Sequence, residues 1–550
     1  MSKIYPNLDL DYKDDRRYSN QSETKCAQIF TKGTTLTKDI FEKIDDDFGP
    51  MRSASICGRN FNTRNVWVLC GLSVLFLTSC CGMGLMFGTN TFDEYMLSQM
   101  VLINNSLSYQ LWKGPVIKTF VRVYVFNYTN VDDYENGDDE KLHVNEIGPY
   151  VYEESLERVN IKFLANGTVS YQEKREHRYR EDLSNGRLQN DTVVVPNLPL
   201  LSAAALSKEY LYPFRLMISG VFEQLDAKPF INVPVDKLIW GYDDVFYSVV
   251  KSVMSFYKTL PFEKFGILAS KKGVSEDILT AHTGINDINK VKQIDTVNGK
   301  KYTPYWGTDQ CNEVKGSDGT AFSPMDVRER RPVLVYNKEM GRTVKLTYEK
   351  DVKIFNGKVT AARYVVPSNT FDTPEKNFDN ECYCDESVDE CPQGVFNTAA
   401  CTFGAPIFMS FPHFHNAEDT IKESVSGLNK AHQMQENYVY IHPTLGFSMG
   451  GKNSMQLNVQ VQKSIGIKQL EMFDDDIILP MAWIQVGIDD VDLPEVVTST
   501  IYFVSVTVPA IELCLKYGSI LGAIVTLISI LIILHGRKMS LTHRFRDMER

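Results

Sequence analysis

Residues 66–87 read VWVLCGLSVLFLTSCCGMGLMF, a run without a single charged side chain. A helix needs about 20 predominantly apolar residues to cross the hydrocarbon core of a bilayer. Arg52, Arg59 and Arg64 stand just before the run, and basic residues beside a span mark its cytosolic end. A second apolar run, Tyr517 to Leu534, lies near the other terminus and is followed by Arg537 and Lys538. The basic flanks face away from each other along the chain, so both termini are expected in the cytosol. The intervening chain is then lumenal or extracellular. The expected division is a cytosolic tail over 1–64, a span over 65–88 and an ectodomain over 89–509. A second span with its membrane-proximal turn follows over 510–535, and a cytosolic tail over 536–550.

Two alternatives are weaker. A cleaved signal peptide has an apolar core of only ~7–15 residues near the start of the chain, whereas this run is longer and begins after more than 60 residues. A buried core helix does not explain why the second run lacks charge and ends in a basic tail. Gly84-xxx-Gly88 and Gly518-xxx-Gly522 offer small-residue packing faces, so self-association into a homo-oligomer is among the expected partnerships. Cys70, Cys80, Cys81 and Cys514 lie in or near the spans. Acylation of membrane-proximal thiols is known chemistry, but apolar packing is the simpler reading.

The ectodomain holds about 420 residues, enough to bury a large core in one or two domains. The net charge of −11, with no basic stripe, argues against nucleic-acid binding. The N-terminal tail mixes acids and bases without apolar periodicity and reads as mostly flexible. Within it, Tyr5-Pro6-Asn7-Leu8 fits a tyrosine-x-x-apolar sorting signal. In an extended peptide Tyr5 and Leu8 would fill two pockets of a clathrin adaptor, although a pattern with two fixed residues also arises by chance.

The ectodomain opens with Thr91–Trp112, whose apolar residues recur at helical spacing. Phe120–Phe126 alternates as a strand does. Gly148-Pro149 is expected to break the chain before Tyr150. Ile161–Phe163 and Gly167–Arg178 read as strands joined by an Asn166-Gly167 turn. Leu198–Gln224 reads as two helices with a break near Tyr212-Pro213, and Val235–Tyr242 and Val245–Leu260 also look helical. Strands then fit Val333–Tyr336, Thr343–Tyr348, Val359–Val366, Ile407–Ser410, Tyr438–His442, Met455–Val461 and Ile477–Val486. Many short strands between turn signals suggest an antiparallel barrel or sandwich. Asn104, Asn127, Asn166 and Asn190 head N-glycosylation sequons, all in the expected lumenal segment. Asn20 heads another, in the expected cytosolic tail.

Five cysteines lie in the ectodomain: Cys311, Cys382, Cys384, Cys391 and Cys401. On the oxidising side of a membrane they read as disulfides. A structural zinc site is the alternative, but zinc sites favour CxxC pairs with further ligands, and C-Y-C is not one. Five is odd, so at least one thiol stays free or pairs between chains.

These residues also carry a family pattern. In order along the chain stand Tyr124-Val-Phe-Asn-Tyr-Thr-Asn130, Glu146-Ile-Gly-Pro-Tyr-Val-Tyr152 and Leu238-Ile-Trp-Gly-Tyr-Asp243. Gly316-Ser-Asp-Gly-Thr-Ala-Phe322, Cys382-Tyr-Cys384, Phe411-Pro-His-Phe414, Gly427-Leu-Asn429 and Ile478-Leu-Pro-Met-Ala-Trp483 follow. Together with the two spans, they resemble the class B scavenger receptor family, which includes the fatty acid translocase, the high-density-lipoprotein receptor, the lysosomal integral membrane protein and insect sensory neuron membrane proteins. The resemblance implies an α+β membrane protein: two transmembrane helices flank an ectodomain with an antiparallel β-barrel-like core, an internal lipid tunnel and a helical bundle at the apex. It pairs Cys311 with Cys382 and Cys384 with Cys391. Cys401 is left unpaired, because its usual partner position falls on Gly341. It places the ligand-receiving apex near Leu198–Lys228. Some relatives carry a lysine cluster there, which suits anionic ligands; here only Lys228 remains, beside Glu223 and Asp226.

Several patterns imitate enzymes. Gly446-Phe-Ser448-Met-Gly450 fits the G-x-S-x-G nucleophile elbow, which needs a helix after the serine and a later histidine. A strand pattern follows instead, and the later histidines, His535 and His543, fall at or beyond the second span. His413-x-His415 lacks further metal ligands nearby, and Asp474–Asp476 reads as a solvated loop. No Gly-rich phosphate cradle is present. The expectation is a receptor without cofactor or catalytic residues, at the plasma or endolysosomal membrane. It would bind fatty acid, sterol, carotenoid, phospholipid or lipoprotein particles and transfer lipid to the membrane. The alternatives are trafficking of a protein cargo and phagocytic recognition or adhesion. If Tyr5–Leu8 is a sorting signal, Tyr5→Ala raises the surface level and slows endocytosis of the full chain, measured by surface biotinylation; unchanged uptake removes the signal.

Overall fold

The computed structural model describes residues 54–56, 59–61, 63–115, 117–242, 264–384, 391–428, 437–488 and 494–548. Tyr5–Leu8, Asn20 and the helix expected over Val245–Leu260 lie outside the described residues. The chain divides into two compact units, residues 90–512 and a second made of residues 1–89 with 513–550.

The smaller unit is built on two helical stretches long and apolar enough to cross a membrane, from Arg64–Gly88 and the distal part of Val497–His535. They meet through small side chains. A Cβ placed on Gly82 would lie 3.6 Å from Ser519 Cβ, and one on Gly522 would lie 2.8 Å from Ser79 Oγ. The contact therefore uses Ser79 with Gly82 and Ser519 with Gly522, at a spacing of three. The expected Gly84-xxx-Gly88 face is open, with no other heavy atom within 4 Å of either Cβ position. Lipid supplies no hydrophobic drive between helices, so close backbone approach at small residues becomes the main source of contact. Ahead of the first helix, Ala54–Ile56 and Arg59–Phe61 pair as short antiparallel strands, where a flexible tail was expected.

The larger unit is organised by one sheet of fifteen strands. Its main path uses β1 (Thr119–Tyr128), β2 (Leu142–Phe163), β3 (Thr168–Tyr179), β4 (Leu279–His282), β5 (Ile294–Val297) and β6 (Val333–Asn337). It continues with β7 (Arg342–Ile354), β8 (Val359–Val365), β9 (Tyr438–Ile441), β10 (Ser448–Gln460) and β11 (Ile478–Ile488). The spatial order is β5-β4-β3-β2-β1-β11-β10-β9-β8-β7-β6. Every pairing along this path is antiparallel. Chain neighbours are mostly sheet neighbours, and the exception, β1 against β11, brings the two ends of the ectodomain together.

The two edges of this path meet through a short segment. Ile294 N of β5 donates to Gly316 O at 2.9 Å, while Ser317 N donates to Leu334 O of β6 at 2.8 Å and Tyr336 N to Ser317 O at 3.1 Å. The sheet is thereby nearly closed, and the edges that would otherwise invite pairing are partly covered. Gly316 is required here: its φ is +106°, and a Cβ would sit 2.9 Å from the carbonyl carbon and oxygen of Leu334.

Both faces of β1 are covered. Val121, Val123 and Val125 pack with Tyr150, Val193, Val195, Leu238 and Ile239. Phe126 and Tyr128 join a cluster with Leu198, Leu200, Phe222 and Trp483.

Three local expectations are corrected. Thr91–Trp112 is two helices, Thr91–Ser98 and Leu107–Lys113, because Ser106 starts the second by accepting a hydrogen bond from Tyr109 N at 3.1 Å. Gly148-Pro149 does not end a strand. β2 continues through it by a register shift, with Val123 facing Tyr150 and Val125 facing Ile147, and the Gly148–Pro149 peptide is cis. The helix that carries the second span begins near Glu495 rather than 510, with a π-helical turn at Phe503–Thr507 just before Pro509. A wider turn accommodates a proline that lacks an N–H and crowds the preceding carbonyl. Val497, Ile501 and Val506 of this helix pack on Ile354, Val359, Ala361 and Met449.

The turn between β9 and β10 depends on a neutral imidazole. His442 is 5% exposed, and its Nδ1 accepts from Thr444 N at 3.2 Å and Leu445 N at 3.1 Å. Burial, aided by Arg328, lowers its pKa to about 4. The folded state therefore binds fewer protons than the unfolded chain between pH 6.5 and 4, so stability falls as pH drops through that window. By pH 5 the loss is on the order of 2 kcal/mol, or roughly 2 °C in Tm for a unit of this size. His442→Asn, which keeps an acceptor but does not titrate, is expected to shrink the difference in Tm between pH 7.5 and pH 5.

Candidate ligand-binding surface

Two helices build the segment assigned to the apex. Leu198–Ser207 is capped by Asn197, whose Oδ1 accepts from Leu200 N at 3.3 Å. Leu198, Leu200, Leu201, Ala203 and Ala204 are buried in one cluster with Val459, Val461, Ile467, Leu470 and Phe473. The second helix, Tyr212–Gln224, buries Ser219 and Phe222. Its other face is apolar yet open to solvent: Leu211, directly before it, is 82% exposed, and Tyr212, Leu216 and Met217 are 52%, 47% and 50% exposed. Ile465, 76% exposed, adjoins them, since a Cβ on the next residue, Gly466, would lie 3.3 Å from the Tyr212 ring and 3.5 Å from Leu216. An exposed apolar patch on a folded surface marks a contact site for protein, membrane or ligand. Sequence reading located the helices but not this face. Its signal was a helix apolar on more than one side, which binary patterning cannot distinguish from deep burial.

Lys228 is exposed beside these helices. Its carbonyl accepts from Asn197 Nδ2 at 2.9 Å, which ties it to the cap of the first helix. Lys468 Nζ lies 3.2 Å from Glu223 Oε1. One lysine among Glu223, Asp226 and a paired Lys468 does not make a basic patch.

The cysteine-rich segment is stapled by Cys311–Cys382 and Cys384–Cys391, with Cα atoms 6.0 and 5.9 Å apart. Cys401 is free. Its Sγ lies 3.2 Å from Thr398 O and 3.5 Å from Glu339 O. A Cβ built on Gly341 would lie 3.3 Å from Cys401 Cβ, close to the ~3.8 Å typical across a disulfide. Gly341 thus occupies the place where a partner half-cystine would fit. Burial pushes the Cys401 thiol up to about 12, so it is not a reactive nucleophile at neutral pH.

Of the sequon asparagines, Asn104, Asn166 and Asn190 are exposed. Asn127 is half-buried in β1, and its Oδ1 accepts from Val194 N at 2.7 Å. Ser448 opens strand β10, so no helix follows it and the elbow geometry is absent. His413 does not share a strand face with His415. It sits in a short turn at Pro412–Phe414 with φ +53°.

The separated sequence words converge around one carboxylate. Glu146 Oε2 lies 2.6 Å from His413 Nε2 and accepts from Trp483 Nε1 at 2.8 Å. Tyr124 stacks on Trp483 with centroids 3.9 Å apart, Phe126 meets the His413 ring edge-on at 5.3 Å, and His413 N donates to Gln456 Oε1 at 2.6 Å. These are packing and hydrogen-bonding roles that lock strands together, so the words identify a fold and not a reaction. Residues 70–534 match the family model described as the CD36 family.

The chain belongs to the CD36 family. It is 33% identical over 398 residues to scavenger receptor class B member 1 of Bos taurus, covering 71% of this chain and 75% of that protein. Identity to the Rattus norvegicus protein of that name is 31% over 430 residues, covering 77% and 81%. Lysosome membrane protein 2 of Homo sapiens is 28% identical over 372 residues, covering 68% and 75%. The chain is therefore a receptor-type member of the CD36 family, with two candidate spans and a disulfide-bearing β-rich ectodomain. Relatives of both names fit a membrane location, and one is named for the lysosome. Non-reducing peptide mapping of the full chain should return Cys401 as a thiol that alkylates only after denaturation; recovery of Cys401 in an intrachain bridge would overturn this.

Proposed function

We propose that this CD36-family receptor captures lipids or lipid-bearing particles on the apolar face of helix Tyr212–Gln224 and delivers lipid through a tunnel in its ectodomain to the membrane. The observation that carries the reading is the exposed group Leu211, Tyr212, Leu216, Met217 and Ile465, set on a fold whose relatives include scavenger receptors. Burial of apolar area supplies affinity, at ~0.8 kcal/mol per methylene. Discrimination between chain lengths is then shallow, and headgroup charge matters little because Lys228 stands among acids. Capture and passage involve no bond-making step. Both termini face the cytosol in this reading, and Asn104, Asn127, Asn166 and Asn190 carry glycans on the opposite side.

A second reading is transport of a protein cargo to endolysosomes. It is favoured by the likeness to lysosome membrane protein 2 and by the tail signal at Tyr5–Leu8. An apolar face of this size would serve a protein partner as well as a lipid.

Mass spectrometry of lipid retained by the purified full chain, paired with uptake of labelled fatty acid, sterol and carotenoid by expressing cells, separates the two. Co-purified lipid and uptake above background are expected. The double variant Leu216→Glu, Met217→Glu should lower uptake about ten-fold or more while leaving Tm unchanged, since both side chains already face solvent. Background uptake together with a stoichiometric co-purifying protein would replace the lipid reading with the second.

A further inference from the structure

We propose that an N-linked glycan on Asn166 covers an apolar tip of the β2–β3 hairpin and holds that hairpin closed. β2 ends at Phe163 and β3 begins at Thr168. Between them Gly167 N donates to Leu164 O at 3.2 Å and Leu164 N to Thr168 O at 2.8 Å, with Gly167 at φ +81°. This is a turn with a left-handed third residue, which fixes the orientation of what precedes it. Asn166 stands exposed at the tip. Its Oδ1 is turned inward, accepting from Thr168 Oγ1 at 2.7 Å and Thr168 N at 3.2 Å. The planar amide therefore directs Nδ2, the atom that bears a glycan, away from that anchor.

Three apolar side chains at or beside this turn remain wet. Phe163, Leu164 and Ile285 are 40%, 45% and 62% exposed. Ile285 belongs to the tip because its Cγ2 lies 3.1 Å from the Cβ position of Gly167, and Asn286 Nδ2 donates to Asn166 O at 2.9 Å. Phe163 packs on Tyr109 with centroids 5.6 Å apart, which leaves part of its ring uncovered. An N-acetylglucosamine offers a face of C–H groups and an acetamide methyl, so its first-sugar surface suits such a tip. Being tethered, it sits there at a high effective concentration and pays little association entropy.

The inference rests on the topology that places this segment on the lumenal side, and occupancy at Asn104 and Asn190 reports that topology independently. The experiment is glycopeptide mass spectrometry and hydrogen exchange on the full chain made in glycosylating cells. Asn166→Asp removes the glycan and keeps the acceptor oxygen. The peptide covering residues 161–170 should exchange about two- to five-fold faster in this variant, the change expected from losing one ring-sized contact. In a Phe163→Ser, Leu164→Ser, Ile285→Ser background the same removal should change nothing. If that background fails to fold, enzymatic trimming of the wild-type glycan to one N-acetylglucosamine should leave the protection intact. Asn166 unoccupied while Asn104 and Asn190 carry glycans, equal acceleration in both backgrounds, or protection lost on trimming would each overturn the proposal. Empty sites at all three would remove the topology along with it.

Discussion

One carboxylate holds the ectodomain in register. Glu146 lies on β2 and takes a hydrogen bond from Trp483 on β11 while pairing with His413 in the turn after the Ile407–Ser410 strand. Tyr124 of β1, stacked on Trp483 from the neighbouring strand, completes the contact. Four pieces of chain, spread from Tyr124 to Trp483, are thus fixed by a group that cannot be left without partners. A buried carboxylate left unsatisfied costs several kcal/mol. A one-residue slip would turn every side chain of a strand to the wrong face, and this cluster penalises that slip.

A second charged contact works the same way. Arg158 on β2 is almost fully buried, with Nη2 2.9 Å from Asp318 Oδ2, its second amino group bonded to Trp112 O and its guanidinium 4.8 Å from the Trp112 ring. Asp318 follows Gly316–Ser317, the segment that joins the two sheet edges. Buried ion pairs add little net stability but are costly to break. Here the pair pins the closing segment to β2, and so ties barrel closure to the first helix pair through Trp112.

Much of this was legible in the sequence because local signals agreed with the final packing. The two apolar runs needed only length and flanking charge. β1, β6, β8 and β11 announced themselves by β-branched and aromatic residues, and the helix break ahead of Pro213 by the proline itself. Two of the failures share a cause, which is that tertiary partners overrode local punctuation. Gly148-Pro149 signals a break, but β2 carries on because Tyr124 lies across the glycine: a Cβ there would come within 2.9 Å of the ring. The helix near Glu495 starts early because Ile501 and its neighbours find a buried surface, which hydropathy of the segment alone does not reveal. Barrel closure at Gly316–Ser317 left no periodic trace, since two residues have no period. The open face at Leu211–Met217 looked like core for the same reason that any apolar helix does.

The pairing of β1 with β11 has a consequence for how the protein is made. Tyr124 faces Trp483 and Val125 faces Ala482, so the central seam of the sheet cannot form until nearly the whole ectodomain has been synthesised. Translation at ~5–20 residues per second leaves β1 and β2 waiting for tens of seconds with one edge unpaired. Contacts this distant in sequence are slow to close and exposed to aggregation in the interval. The four sequons all precede residue 191, in the part of the chain that emerges first and waits longest. Sugars added there would reach the nascent strands before their partners do, and would keep the exposed edge soluble until the last strand arrives.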